Sequence, residues 1–211
     1  MQRTNPAGSV ADGSKTAPRK DEGGGEITAD ICVIGAGSGG LSVAAAAAAF
    51  GEKVVLIEKH KMGGDCLNFG CVPSKAMIAA GKRAHAMRTS GAFGIAPVDP
   101  VIDHAAVREH IRKVIAAIEP NDSVERFTGL GVRVIHAAAR FAGRDVVEAG
   151  AWRVKARRFV IATGSSPVVP PIPGLDEVGA FTNETIFENA VKPEHLIVIG
   201  GGPIGIEMAQ A

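Results

Sequence analysis

The hydrophobic positions of this chain change their spacing along its length. Continuous apolar runs, typical of strands buried in a parallel sheet, occupy residues 30–34 and 53–57. Segments that we interpret as helices lie at residues 41–50, 73–89 and 103–118. From residue 132 to residue 161, short stretches alternate apolar and polar positions between turns, which predicts a small antiparallel meander. The whole pattern predicts an α/β fold with a parallel sheet, helices and this meander.

A glycine-rich turn joins the first predicted strand to the first predicted helix. It reads Gly35-Ala36-Gly37-Ser38-Gly39-Gly40, and the second predicted strand ends at Glu58. In dinucleotide-binding folds the first glycine permits a tight turn, the second lets the backbone approach a pyrophosphate, and the third lets the helix pack on the strands. The helix N-terminus then faces the phosphates, and the acid accepts hydrogen bonds from ribose hydroxyls. Because strand, helix and acid all accompany the glycines, we predict a dinucleotide site rather than a ligand-free turn.

The same arrangement begins again near residue 200. A predicted strand at residues 196–199 is followed by Gly200-Gly201-Gly202-Pro203-Ile204-Gly205 and by a helix that starts near residue 206. We interpret this as the opening of a second nucleotide-binding unit and expect the chain to be the N-terminal part of a longer protein. The predicted domains are a disordered tail at 1–26, a first nucleotide-binding domain at 27–192, and the start of a second at 193–211.

The stretch from residue 63 to residue 75 carries the candidate chemistry. It reads Gly-Gly-Asp-Cys-Leu-Asn-Phe-Gly-Cys-Val-Pro-Ser-Lys, so Cys66 and Cys71 lie five residues apart. Pro73 suits the first turn of a helix, and a thiol at a helix N-terminus is favoured as thiolate by the helix dipole. We predict a redox-active pair; a structural disulfide or an idle pair is the alternative. Cys32 lies within an apolar run and is predicted to be a buried, inert core residue.

Composition excludes several other classes of protein. A net charge of +1, no tyrosine and 4% aromatic residues give no case for nucleic-acid binding. Three cysteines are too few for a disulfide scaffold, and a structural zinc site needs four ligands. No run of about 18 apolar residues predicts a membrane span, and the first 25 residues lack the apolar core of a signal peptide. We expect a cytoplasmic protein without a metal site.

Taken together, these motifs resemble the FAD-dependent pyridine nucleotide–disulfide oxidoreductases, in the branch of dihydrolipoamide dehydrogenase and mercuric reductase. The resemblance runs from residue 30 to residue 211 and is most specific at residues 63–75. Other matching stretches, in chain order, are 35–40, Ala162-Thr163-Gly164, Pro171-Ile172-Pro173-Gly174 and 200–207. The resemblance implies a Rossmann-like FAD-binding domain followed by the start of a second Rossmann-like domain for NAD(P), in a homodimeric protein.

The resemblance also implies FAD and NADH or NADPH as cofactors and gives roles to the matching residues. Cys71 would lie beside the flavin, Cys66 would exchange with substrate, and Lys75 would lie near the reactive edge of the flavin and pair with Glu207. The positions implied in FAD binding are Gly35, Gly37, Ser38, Gly40, Glu58, Gly64, Asp65, Thr163 and Gly164. Those implied in NAD(P) binding are Gly200, Gly202 and Gly205. Electrons would pass from the nicotinamide through FAD to the Cys66–Cys71 disulfide.

Asp65 departs from the family pattern, in which Thr or Ser is common directly before the exchanging cysteine. We expect its charge to raise the pKa of Cys66. The substrate implied is a small-molecule or lipoyl-type disulfide or dithiol, or a metal ion, and the family's His–Glu pair is expected beyond residue 211. Two other hypotheses stay open. One is a flavoprotein of the same fold with a quinone or transhydrogenase reaction, which needs no cysteine pair, and the other is a catalytically inactive, truncated FAD-binding module.

Overall fold

The computed structural model describes residues 23–211, and these contain a six-stranded sheet surrounded by helices. The strands are β1 (Gly25–Ile34), β2 (Val54–Glu58), β3 (Arg133–His136), β4 (Ala139–Phe141), β5 (Val146–Ala149) and β6 (Trp152–Ile161). The α-helices are α1 (Ser38–Ala49), α2 (Gly64–Asn68), α3 (Cys71–Arg88), α4 (His104–Ile118), α5 (Val124–Gly129) and α6 (Pro203–Gln210). Short 3-10 helices occupy Ser90–Phe93, Glu119–Asp122 and Ile186–Glu188.

The strands follow the order β3-β2-β1-β6-β5-β4 across the sheet. Strands β3, β2, β1 and β6 are parallel, whereas β6, β5 and β4 are antiparallel. The β3-β2-β1 half is the arrangement of a mononucleotide-binding unit, with α1 as the crossover between β1 and β2. The prediction of a Rossmann-like α/β fold is therefore confirmed.

Each face of the sheet buries its own apolar cluster. Helices α1 and α5 cover one face, where Val33, Leu56 and Phe127 are fully enclosed. Ala44 and Ala47 of α1 are buried in this cluster, so their small side chains let the helix approach the strands closely. The cluster on the other face is formed by Ala29, Cys32, Val55, Ile57, Ile135, Val147, Ala149, Val154 and Ala156.

A third cluster lies away from the sheet and joins α3 to α4. It consists of Ala76 of α3, Ile111 of α4 and Phe187 of the 3-10 helix Ile186–Glu188, with Met208 of α6 packed against it. An ion pair between Arg112 and Glu188 adds a polar link between α4 and the same 3-10 helix. The segment after β6 is thus anchored to α4 and to α3, the helix that begins with Cys71.

The boundaries of the predicted meander were partly wrong. The stretch that begins at residue 132 forms β3, which pairs in parallel with β2 through Val55↔Arg133 and Ile57↔Ile135 rather than joining the meander. Only β4, β5 and β6 form the antiparallel unit. Alternation of apolar residues reports burial on one face and does not name the partner strand.

The strand predicted at residues 30–34 was too short, because β1 begins at Gly25 and pairs with β6 from Trp152 to Ile161. Residues 1–22 of the predicted tail lie outside the described residues, and its last two residues, Gly25 and Glu26, were wrongly included because they belong to β1.

The strand predicted at residues 196–199 does not form. This segment has no assigned secondary structure and is exposed; Ile197, for example, is 77% exposed. Among the described residues no strand lies beside it, and without a partner its backbone groups cannot make ladder hydrogen bonds. The helix predicted to follow does form, as α6.

Candidate functional site

The first glycine turn lies where three strands end. Gly35 has φ of +104°, and its N–H donates to the Ile57 carbonyl at the end of β2 (2.8 Å). On the other side, the Ala162 N–H donates to the Ile34 carbonyl (2.8 Å). A Cβ on Gly40 would overlap the carbonyl oxygen of Gly35, so the third glycine lets α1 start this close to the turn. The tight turn predicted at Gly35 and the close approach predicted at Gly40 are therefore both observed.

The N-terminus of α1 is open in front of this turn. Gly37 is the N-cap, no side chain caps the helix, and a Cβ on Gly39 would meet nothing within 4 Å. Ser38 is exposed at the first helical position. The first-turn N–H groups of an α-helix lack intrahelical partners and bind phosphate oxygens readily. The residues present therefore fit the pyrophosphate of a dinucleotide.

Glu58 lies beside the same turn, at the end of β2. One carboxylate oxygen, Oε2, accepts from the Ala36 N–H (2.6 Å), and the other, Oε1, accepts from the His60 N–H (2.7 Å). Glu58 thus fixes the backbone of the glycine turn as well as its own loop. Each carboxylate oxygen has a second acceptor site, so hydrogen bonds from a ligand's hydroxyls are compatible with these two.

Thr163 and Gly164 follow β6 at the same edge of the sheet. The Cα of Thr163 lies 3.1 Å from the place where a Cβ on Gly35 would be, and Gly164 has φ of +67° and is exposed. The turn after β6 therefore lies against the first glycine turn, as expected at the carboxyl edge of a parallel sheet.

The cysteine motif packs directly on the first glycine turn. The Gly63 N–H donates to the Ala36 carbonyl (2.9 Å), and Gly63 forms a parallel bridge with Gly37. Gly64 has φ of +56°, and a Cβ there would lie 2.5 Å from the Cα of Gly37. The sequence shows these glycines as separate motifs, and the structure brings them into backbone contact.

The two cysteines lie on consecutive helices. Cys66 is half-buried in α2, a five-residue helix that sequence analysis missed, and Cys71 is the exposed first residue of α3. Gly70 is the N-cap of α3, and no side chain caps this helix. The predicted place of Cys71 at a helix N-terminus is therefore observed. Both residues are free thiols in this structure.

The pKa of the Cys66 thiol is raised to about 11, chiefly by its hydrogen bond with Cys71 and then by burial. The negative charge of Asp122 adds a smaller effect in the same direction. Asp65 is not named among the main causes of this shift, so the expectation that its charge raises the pKa of Cys66 stays a prediction. The Asp65 carboxylate is hydrogen bonded by Asn183. For Cys32, burial raises the pKa to about 12, in line with an inert core thiol.

Lys75 and Glu207 lie on packed helices but do not form an ion pair within 4.0 Å among the described residues. Lys75 is exposed on α3, and Glu207 is half-buried on α6, whose Met208 packs near Ala76 of α3. Their predicted pairing therefore stays a prediction.

The second glycine turn repeats the geometry of the first. Gly200 has φ of +108°, against +104° for Gly35, and Gly202 caps α6 with ψ of 172°, against −178° for Gly37, the cap of α1. A Cβ on Gly205 would lie 2.7 Å from the Gly200 carbonyl oxygen. Gly40 approaches the Gly35 carbonyl oxygen in the same way. The local sequence is thus sufficient for the turn even though no strand forms before it.

Sequence analysis missed three polar residues around the cysteines. The Asn68 side chain donates to the carbonyls of Met62 (3.0 Å) and Gly64 (2.8 Å) and so closes the corner before α2. Its place within the cysteine motif was a signal for this role. Asp122, whose charge acts on the pKa of Cys66, and Asn183, which donates to Asp65, come from distant parts of the chain, and no local sequence pattern indicates them.

Two negative findings bear on the sequence predictions. In the part of the chain that the structure describes, no group of three or more His, Cys, Asp or Glu residues is placed to hold a metal ion. Within the same residues, no helix combines the length and apolar character needed to cross a membrane.

Comparison with known proteins assigns the family. The model of the family described as "Pyridine nucleotide-disulphide oxidoreductase" matches residues 29–211. A mercuric reductase of Streptomyces lividans is 36% identical over 187 residues, which are 86% of this chain and 40% of the relative. A mercuric reductase of Bacillus cereus is 34% identical over 181 residues, which are 86% of this chain and 29% of the relative. The chain thus spans well under half the length of these relatives.

A solved structure leads to the same family. It is the Cu(II) complex of RclA, an HOCl-induced flavoprotein disulfide reductase from Escherichia coli. It aligns with a TM-score of 0.72 and 25% identity over 85% of this chain and 38% of that chain. With the matched family model, the two glycine turns and the docked cysteine pair, the conclusion is that this chain belongs to the pyridine nucleotide-disulphide oxidoreductase family.

Proposed function

We propose that this chain carries the flavin site and the redox-active disulfide of an FAD-dependent NAD(P)H disulfide oxidoreductase. The observation that carries the proposal is the packing of the cysteine motif on the first glycine turn, where Gly63 bridges Gly37 and helix α2, which contains Cys66, begins. An idle or purely structural cysteine pair would not need to lie against a dinucleotide-binding turn. Residues 27–192 are proposed as the FAD-binding domain and residues 193–211 as the start of the NAD(P)-binding domain.

The proposed FAD site follows the geometry of the carboxyl edge of the sheet. The open N-terminus of α1 would hold the pyrophosphate, and Glu58 would bind ribose hydroxyls with its remaining acceptor sites. Other residues proposed to line the site are Gly35, Gly37, Ser38, Gly40, Gly64, Asp65, Thr163 and Gly164. When bound, FAD supplies a two-electron carrier between a nicotinamide and the cysteine pair. Gly200, Gly202 and Gly205 are proposed to begin the NAD(P)H site.

The cysteine chemistry is a thiol–disulfide exchange in two halves. Two electrons that originate from NAD(P)H break the Cys66–Cys71 bond, and with two protons from solvent they leave two thiols. The Cys66 sulfur, as thiolate, then attacks a substrate disulfide and releases one substrate thiolate, which takes up a proton. The Cys71 thiolate attacks the resulting mixed disulfide, restores the Cys66–Cys71 bond and releases the second substrate thiol. The reverse sequence oxidises a substrate dithiol.

Proton removal from Cys66 needs help in this scheme. With a pKa of about 11, Cys66 is almost wholly protonated at neutral pH, and the nearby carboxylate of Asp122 disfavours its thiolate further. A base must therefore take the Cys66 proton as exchange begins, and the family resemblance predicts a His–Glu pair for this role. Lys75, paired with Glu207, is proposed to lie near the reactive edge of the flavin.

The substrate class is proposed from the cysteine pair and the relatives. A disulfide or dithiol of small-molecule or lipoyl type fits the exchange chemistry, and a thiophilic metal ion fits the names of the mercuric reductases that the chain resembles. A homodimeric, cytoplasmic protein is proposed on the same resemblance.

An anaerobic titration of the full-length, FAD-loaded protein with NADH or NADPH tests the proposal. We expect the Cys66–Cys71 disulfide to be reduced, as shown by mass spectrometry after alkylation, together with a long-wavelength absorbance from the Cys71 thiolate against the flavin. Cys71→Ser should abolish this absorbance, and Cys32→Ser, at a buried cysteine outside the site, should retain it. The proposal fails if the wild-type disulfide stays oxidised in the presence of both nicotinamides.

A further inference from the structure

The carboxylate of Asp65 spans the loop between the two cysteines. Asp65 directly precedes Cys66 in α2, and its Oδ2 atom lies 2.9 Å from the place where a Cβ on Gly70 would be. Gly70 directly precedes Cys71. The Asp65 backbone carbonyl also accepts from the Phe69 N–H (2.8 Å). The Asp65 side chain therefore folds back from the residue before one cysteine to the residue before the other.

The other oxygen of this carboxylate is held from a distant segment. The Asn183 side chain donates from Nδ2 to Asp65 Oδ1 at 3.2 Å, across 118 residues of sequence. Asn183 lies in a turn with its own internal hydrogen bonds: the Thr182 N–H donates to Thr185 Oγ1 (2.9 Å), and the Glu184 N–H donates to Thr182 Oγ1 (3.2 Å). This turn presents the Asn183 amide in a fixed place.

The turn is itself anchored to the helix of the second cysteine. Phe187, four residues after Asn183, is 7% exposed and packs in one cluster with Ala76 of α3. Asn183 is thus tied on one side to α3, which begins with Cys71, and on the other side to α2, which contains Cys66. Helix α2 has only five residues and no capping side chain, so the hydrogen bond from Asn183 adds to the few contacts that hold it, among them those of the Asn68 side chain.

We propose that Asp65 and Asn183 form a brace that positions Cys66 against Cys71 and thereby stabilises the disulfide between them. The inference rests on the proposed redox role of this pair. Asp65 and Asn183 are positioning residues here: they act through the placement of α2 and do not themselves exchange electrons. The brace also gives a role to Asp65, the residue that departs from the family pattern.

The expected effect follows from the effective concentration of one thiol at the other. A net hydrogen bond contributes about 1 kcal/mol, which is about fivefold in an equilibrium constant. Without the brace, α2 explores more conformations in the dithiol state, so forming the disulfide orders more of the chain. We expect the equilibrium constant for disulfide formation to fall about three- to fivefold. For a two-electron couple this is a rise in potential of about 15 to 20 mV.

The experiment measures the dithiol–disulfide equilibrium of the 211-residue chain in glutathione buffers of graded ratio. Samples are acid-quenched and alkylated, and the peptide with both cysteines is quantified by mass spectrometry. Asn183→Ala and Asp65→Thr should each lower the equilibrium constant about three- to fivefold. The double variant should lower it no further than either single change, because both remove the same hydrogen bond. Asp65→Asn keeps an acceptor oxygen for Asn183 and should restore the wild-type value within about twofold.

A matched control is available in the same segment. Asn189 accepts from the Val191 N–H and does not reach α2, so Asn189→Ala should leave the equilibrium constant unchanged. Equal constants for wild type and Asn183→Ala, or additive effects in the double variant, would overturn the brace while leaving the proposed function intact. A wild-type chain that forms no Cys66–Cys71 disulfide at any glutathione ratio would overturn both. If Asn183→Ala does not fold, the comparison of Asp65→Thr with Asp65→Asn decides the same question.

Discussion

Removal of Cys71 should make Cys66 more reactive toward alkylating agents, although it removes one of the two proposed redox partners. The pKa of Cys66 is raised from its ordinary value of 9.0 to about 11, with the hydrogen bond to Cys71 as the largest cause and burial as the second. In Cys71→Ala the thiol of Cys66 has no neighbouring sulfur with which to share its proton. Its pKa should therefore fall toward the ordinary value, and burial will hold back part of that fall.

The magnitude follows from two opposing effects on rate. A fall from about 11 all the way to 9.0 would raise the thiolate fraction at pH 7.5 about a hundredfold. Nucleophilicity declines as basicity declines, with a Brønsted coefficient of about 0.4 to 0.5, so each tenfold gain in thiolate gives only about a threefold gain in rate. Because burial remains, we expect the alkylation rate of Cys66 at pH 7.5 to rise about three- to tenfold in Cys71→Ala.

The assay is iodoacetamide labelling of the fully reduced chain over a range of pH, with peptide-resolved mass spectrometry to separate Cys66 from the buried Cys32. The rate profile of Cys66 should shift to lower pH in Cys71→Ala. Cys71→Ser retains a hydroxyl that can hydrogen bond to Cys66 and should give a smaller shift. An unchanged or slower rate at Cys66 in Cys71→Ala would show that the hydrogen bond between the thiols does not govern its pKa.

Three further predictions concern stability. Gly64→Ala should lower the free energy of unfolding, measured by urea denaturation, by about 1–3 kcal/mol, because φ of Gly64 is positive and the new Cβ would press on the backbone of Gly37. Gly39→Ala, whose Cβ would enter open space, should raise it by about 0.5–1 kcal/mol. Equal effects of the two changes would contradict the close contact between Gly64 and Gly37. Glu58→Ala should lower the free energy of unfolding by about 1–3 kcal/mol, since the Ala36 N–H loses its acceptor, and an unchanged midpoint would refute this. The pKa of Cys66 is raised in the folded state, so this thiol contributes its full stabilisation below about pH 9 and loses it as the pH rises through about 11. Between these pH values the free energy of unfolding of the reduced Cys66→Ala variant should therefore fall less than that of the reduced wild type, as measured by urea denaturation.

Local sequence was sufficient to predict the structure where a few neighbouring residues fix the backbone conformation. The first glycine turn, the alanine helix after it and Glu58 were all found in their predicted places, because each depends on spacing within one βαβ unit. The second turn supports this, since Gly200 and Gly205 take up the same geometry although residues 196–199 form no strand. A turn is a local property, whereas a strand requires a partner.

Sequence was insufficient to predict strand pairing and side-chain contacts that depend on a partner distant in the chain. Period-two alternation placed the stretch after residue 132 in the meander, yet β3 pairs with β2, 75 or more residues earlier in the chain. The charge of Asp65 suggested an effect on Cys66, but the side chain is turned toward Asn183, and the Cys71 thiol has the larger effect. Proximity in sequence is a poor guide to which group a charged side chain faces.

The sequence by itself determined the family, the α/β fold and the two cysteines, because motif spacing and residue type are sufficient for these. Tertiary structure decided that Gly64 rests on Gly37, so that the cysteine motif packs on the first glycine turn. It also decided that Asn183 reaches Asp65. Both contacts join segments that approach one another only when the sheet and helices pack. Burial of the apolar clusters drives that packing, and no local sequence pattern tells which residues it brings together.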